Sequence, residues 1–152
     1  MWFLMFRPML RTLRGGPVSH YRLSMGRWRD GTGTLSVLDG AGTAVPLEIA
    51  ASYRARTRGL LGRDGIEGAL LLTPASSVHT FRMRFAIDVA HLDRHLRVIA
   101  VRTMRPGRLG AIRPRARHLL EAEAGAMEAW GLRPGAQVVI AAGIAPGQDL
   151  RT

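Results

Sequence analysis

Six side chains in this sequence are of types that can hold an anion or move a proton: Arg58, Arg63, His79, Thr80, Asp88 and Glu121. The two arginines can grip a carboxylate or phosphate through paired hydrogen bonds. The histidine and the two carboxylates can exchange a proton with a bound molecule, and the Thr80 hydroxyl can donate or accept beside them. If the set converges, His79, Thr80, Asp88 and Glu121 line a ligand pocket with Arg63 at its rim. The more ordinary arrangement is preferred here. Carboxylates in apolar strands are rarely buried unless paired, so Arg58, Arg63, Asp88 and Glu121 are expected to form internal ion pairs, with His79 a hydrogen-bonded core residue.

Other chemistries lack their residues. A zinc site needs three protein ligands and a second shell, and His79, Asp88 and His91 are the only nearby donors, so no metal is expected. Ser76 and Ser77 have no Gly-x-Ser-x-Gly setting and no Asp-His partners at a useful spacing. The stretch "DGTGT" at 30–34 is too short for a phosphate loop. Cysteine is absent, which excludes disulfides, thiolate ligands and a cysteine nucleophile. No cofactor is expected.

The 152-residue chain carries 22 basic side chains, all arginine, and a net charge of +11. Abundant alanine and glycine beside lysine-free arginine read as a coding bias as much as a selected surface. The charge still has a physical consequence: weak, non-specific attraction to nucleic acid and anionic lipid, declining with salt.

The elements that must position the six residues are short. In "SVHTFRMRF" (77–85), His79, Phe81, Met83 and Phe85 alternate with polar residues as on a strand. Strand-like runs also begin at Thr34, Ala44, Ala69, Ile87, Arg97, Arg117 and Gln137. The first two flank Asp39-Gly40-Ala41-Gly42 as a hairpin, with Pro46 marking an edge strand. "SYRARTRGLLGR" predicts a three-turn helix with Ser52 as N-cap and Gly62 at its close. "AMEAWGL" predicts a second, brief helical turn, and Arg133-Pro134-Gly135-Ala136 a type II turn. The elements do not alternate as βαβ units do. The fold class that follows is mainly β, a small antiparallel barrel or sandwich.

One domain is expected over residues 34–143, flanked by a disordered basic arm at 1–30 and a frayed tail at 144–152. Residues 1–14 interleave Trp2, Phe3, Phe6, Leu10 and Leu13 with arginines, a pattern suited to peripheral contact with a membrane surface, and Met25 offers a later start. No run approaches the roughly 20 apolar residues of a membrane span, and the N-terminal segment has neither the order nor the length of a secretory signal. A cytoplasmic location is the expectation.

Taken in order, "RTRGLLGR", "GALLLTP", "VHTFRMRFAIDVAHLD", "RVIAV", "LLEAEAG" and "WGLRPGAQV" resemble the domain of unknown function (DUF) 192 family over roughly residues 44 to 141. The resemblance implies a compact, barrel-like β fold and brings no reaction. This chain departs from the family pattern at Arg82, at Ala86 in place of Pro, at His91 in place of Phe, and at Ala136-Gln137, which replaces the aspartate of the closing Pro-Gly-Asp. The function expected is a non-enzymatic binding or accessory module whose partner is an unidentified small ligand or protein. The alternatives are an enzyme acting on a small anion with His79 as acid or base, and a basic surface module for nucleic acid or anionic membrane.

Overall fold

The structure, a computed structural model, describes residues 27–38, 40 and 42–143. Of the arm expected at 1–30, residues 1–26 lie outside the described residues, as does the tail from 144 onward.

β1 (Gly31–Leu38) and β2 (Val45–Ala50) form an antiparallel hairpin in which Leu35 stands opposite Val45. Alternation drives it: Leu35, Val45, Leu47 and Ile49 are buried while Glu48 and Pro46 face outward. Ahead of the hairpin, Asp30 already has a structural task. Its Oδ1 accepts from the backbone N–H groups of Ala51 and Ser52 at 2.6 and 2.7 Å, so order extends upstream of the first strand-like run.

α1 (Tyr53–Arg58) starts where expected, with Ser52 Oγ accepting from Ala55 N at 3.1 Å. It is shorter than the expected three turns. Gly59 takes a positive φ of 45° and ends it, and Leu60 leaves the helix to become 2 % exposed in the core. The chain returns as β3 (Ala69–Leu72), which pairs parallel with β2. Pro46 is therefore not on an edge. It precedes the ladder to β3, which begins at Leu47↔Ala69, so its missing N–H leaves that ladder intact.

β4 (Ile87–Leu92) and β5 (Val98–Met104) form a second hairpin, and β6 (His118–Glu123) lies antiparallel between β4 and β3. α2 (Ala126–Ala129) is one turn long, and β7 (Gln137–Ala142) closes onto β1. Before β7 the expected type II turn forms, with Gly135 at φ 89° and Ala136 N donating to Arg133 O at 3.0 Å.

The strand order is β5-β4-β6-β3-β2-β1-β7, antiparallel except at β2–β3. The sheet curls into a half-barrel, because its two edges meet at one end: Val98 N donates to Ala136 O at 2.9 Å and Val138 N to Leu96 O at 3.0 Å. The mainly β expectation holds. Two apolar layers result. Leu35, Leu71, Leu92, Leu120 and Met127 fill the concave side, and Leu60, Ile66, Leu70, Ile87 and Leu119 pack on the outer face beneath the α1 segment. Among the described residues no helix is long and apolar enough to cross a membrane.

Candidate functional site

The six residues singled out by chemistry do not converge. The stretch at 77–85 is not a strand. It makes one isolated bridge, His79↔Leu109, and then turns, with Met83 N donating to Thr80 O at 3.2 Å and Arg82 at φ 62°. His79 is consequently exposed, its ring stacked on Phe81 with centroids 5.2 Å apart. A strand reading puts Phe81 inside; the turn puts Val78, Thr80 and Met83 there instead.

The expected ion pairs also rearrange. Arg63 pairs with Glu48, not with Asp88 or Glu121, through two hydrogen bonds of 2.7 and 2.8 Å. This pair holds the Glu48 carboxyl below the usual carboxylate range and raises the arginine. Arg58 is exposed at the end of α1 and makes no ion pair among the described residues. Asp88 is buried, yet no arginine meets it. Its Oδ1 accepts from the Thr103 hydroxyl at 2.6 Å, and its Oδ2 from Gly125 N and Met127 N at 2.8 and 3.2 Å. It caps the start of α2 and fixes that turn against the concave core, where Met127 is buried. Glu121 is 4 % exposed between Leu70 and Val89 on the outer face, and burial pushes its carboxyl up to about 7. Solvent exclusion, and not a partner, causes the shift.

Thr80 is the link to a different site. Its Oγ1 donates to Arg105 O at 2.6 Å and accepts from Arg108 N at 2.9 Å, while its backbone binds Arg108 O and Gly107 N, each at 2.8 Å. Gly110 N bonds Val78 O at 2.8 Å, so close that a Cβ at Gly110 would sit 2.9 Å from the same oxygen. These bonds pin the loop after β5 against residues 78–80. Under that loop, on the outer face of β4 and β5, is a cleft of about 490 Å³.

The cleft's walls include Arg102, Arg105, Arg108 and Arg113, with His91 buried at its base and no acidic residue among those lining it. Three buried side-chain polar atoms lack a hydrogen-bond partner among the described residues: Nδ1 and Nε2 of His91, and Nε of Arg113. All three belong to this cleft. Unpartnered buried polar atoms are rare and destabilising in native proteins, so their concentration at one place singles this cleft out. Burial lowers the histidine's pKa, as does the neighbouring Arg113 charge; the Ala111 carbonyl opposes weakly without reaching hydrogen-bond geometry.

A larger cleft of about 720 Å³ lies near Arg97, Arg133 and Gln137 where β5 meets β7. Its polar groups serve the fold: Gln137 Nε2 donates to the carbonyls of His95 and Val138 at 2.8 and 3.1 Å, and none of its buried atoms is left unpartnered. The smaller cleft is therefore the candidate site. Among the described residues no group of three His, Cys, Asp or Glu is placed to hold a metal.

Sequence reasoning named Thr80, weighed His91 only as a metal donor, and missed Arg102, Arg105, Arg108 and Arg113. One signal was available. From Arg94 to Leu120 the chain has eight arginines and no acidic residue.

Comparison with known proteins fits the fold. The DUF192 family, described as "Uncharacterized ACR, COG1430", matches residues 36–140. A UPF0127 protein of Pyrococcus horikoshii is 32 % identical over 87 residues, covering 54 % of this chain and 76 % of that protein. Two crystal structures share the architecture at a TM-score of 0.61 and 16 % identity. One, of a protein of unknown function from Novosphingobium aromaticivorans, is matched over 70 % of this chain and 84 % of that one. The other, a provisional transcription regulator from Sinorhizobium meliloti, is matched over 74 % and 96 %. At that identity the likeness is one of fold alone.

Proposed function

We propose that this chain, which belongs to the DUF192 family, is a non-enzymatic binding module for a small anion held in the cleft between His91 and Arg113. One observation carries the reading: three fully buried side-chain nitrogens without a partner among the described residues, two on His91 and one on Arg113, belong to residues that line that single cleft. The chemistry of those atoms selects the ligand. An arginine Nε–H donates only, a neutral imidazole can donate through one nitrogen, and protonation would make both its nitrogens donors. Four arginines with no neighbouring carboxylate favour a multiply charged oxyanion, such as a phosphate or a carboxylate cluster, over a neutral molecule.

Catalysis has less support. The side chains that would serve as acid or base are dispersed: His79 is exposed on a turn, Asp88 is engaged by Thr103 and the backbone, and Glu121 lies on another part of the outer face.

Titration calorimetry of the full chain with inorganic phosphate tests the proposal, using Arg113→Gln as the site variant and Arg133→Gln, at the larger cleft, as the control. Saturable binding that Arg113→Gln weakens and Arg133→Gln leaves unchanged is expected. Binding without saturation, or equal losses in both variants, would show a diffuse basic surface instead.

A further inference from the structure

The loop that roofs the cleft exposes apolar side chains where a soluble turn would carry polar ones. Leu109 is 75 % exposed and Ile112 is 73 % exposed, and Phe81, across the His79↔Leu109 bridge, is 47 % exposed. These are three of the five large hydrophobics exposed among the described residues, and they belong to two segments bonded to each other. The same segments carry Arg82, Arg84, Arg105, Arg108, Arg113 and Arg115, and only Arg84 is paired with a carboxylate, Asp64 at 3.0 Å.

We infer that this loop is a docking surface for an anionic lipid bilayer, with Leu109 and Ile112 entering the interface and the arginines meeting lipid phosphates. Two physical features select a membrane. Apolar tips collared by cations match a bilayer surface, which is apolar beneath a layer of negative headgroups. Arginine stems also lie comfortably along that boundary, with the charged ends in the headgroup layer. Nucleic acid fits less well, because Leu and Ile offer no platform for base stacking and single-strand binders rely on aromatic faces. The loop's shape is set in advance by the Thr80 hydrogen bonds and by the close approach of Gly110 to Val78, so little ordering remains for the moment of docking. The inference rests on the anion-binding reading in one respect: a headgroup phosphate is then the anion presented to the cleft beneath the loop.

Cosedimentation of the full chain with phosphatidylcholine vesicles, with and without phosphatidylglycerol, tests it. Binding is expected only when phosphatidylglycerol is present. The double variant Leu109→Ser, Ile112→Ser should weaken it about tenfold or more at fixed salt. Ile112→Ser alone, at a position outside the cleft's lining, should bind inorganic phosphate as the unaltered chain does. Both positions are exposed, so the substitutions leave the core untouched, and a thermal melt of the variant verifies this. No binding to anionic vesicles overturns the inference, as does binding that the double variant does not change, which would place the contact elsewhere in the chain. Tighter binding to a labelled oligonucleotide than to vesicles, equally lost in the double variant, also overturns it in favour of nucleic acid. Loss of phosphate binding in the unaltered chain, with vesicle binding still dependent on Leu109 and Ile112, overturns the small-anion reading instead.

Discussion

Asp88 and Glu121 lie on adjacent strands and point to opposite sides of the sheet. Asp88 is level with Ala122 and faces the concave interior, whereas Glu121 is level with Val89 and faces the outer layer. A register one residue different would put them side by side as a carboxylate pair, because side-chain direction alternates along a strand. The sheet therefore separates them into two unrelated roles, and each role has its own test.

Asp88 acts through hydrogen bonds. In Asp88→Asn the amide oxygen can still accept from Gly125 N and Met127 N, and the amide nitrogen can donate to a rotated Thr103 hydroxyl. Only the charge is lost, at a cost of about 1–2 kcal/mol. Asp88→Ala leaves the donors unpartnered under α2 and should cost about 3 kcal/mol or more. Urea melts at neutral pH compare the two. Equal losses would mean that the negative charge, not the acceptor geometry, holds the α2 turn.

Glu121 acts through pH. Its folded value of about 7 exceeds its ordinary 4.5, so above pH 4.5 the unfolded chain releases a proton that the folded chain keeps. Stability from this group is complete below 4.5 and is lost as pH rises through 7, a difference of about 3 kcal/mol. Glu121→Gln removes that loss. The variant should exceed the unaltered chain by about 3 kcal/mol at pH 8 and match it to within about 1 kcal/mol at pH 5. Parallel stability curves for the two proteins between these pH values would refute the assignment.

The features legible in the sequence are those set by local rules. Short runs of alternating or branched apolar residues identified β1 to β7, Ser52 announced its cap, and Pro134-Gly135 its turn. What failed depended on distant partners. The pattern at 77–85 is as regular as a strand, but the loop at 105–110 captures Thr80 from both sides and leaves no neighbouring strand to pair with. Arg63 was recognisable as an ion-pair former; its partner Glu48 is fixed only by the β2–α1–β3 crossover. The cleft depends on residues from β4, β5 and the following loop, and His91 reads in sequence as one polar residue in an apolar strand.

Thr80 positions the cleft without touching a ligand. Thr80→Val keeps the shape, removes the hydroxyl, and leaves Arg108 N and Arg105 O without their side-chain partner. Stability should fall by about 1–3 kcal/mol. Phosphate affinity should fall with it, since the loop bearing Arg105 and Arg108 loses its clasp, and Thr80→Ser should restore both. Calorimetry and melts on the same preparations check this. An unstable Thr80→Val variant with undiminished phosphate binding would detach the loop from the site.

His91 is where function opposes stability. It is 3 % exposed, level with Leu119 and Ala100, and both its ring nitrogens are unpartnered where the family pattern has phenylalanine. His91→Phe should therefore stabilise the fold by about 1 kcal/mol while weakening anion binding. The pH dependence separates the two effects. Burial and Arg113 lower the folded pKa below the ordinary 6.5, so the histidine's contribution to stability is present above 6.5 and is lost as pH falls towards the folded value. His118, lowered chiefly by burial, acts in the same direction, and from 4.5 to 6.5 both oppose Glu121. A bound anion reverses the penalty on the protonated ring, so binding takes up a proton. Sulfate keeps its charge across this range, and its affinity should rise as pH is lowered below 6.5, by up to about tenfold for each unit. In His91→Phe the sulfate affinity should be lower and flat with pH. Calorimetric titrations of both proteins at several pH values read the slope directly, and an identical slope in the variant would remove His91 from the site.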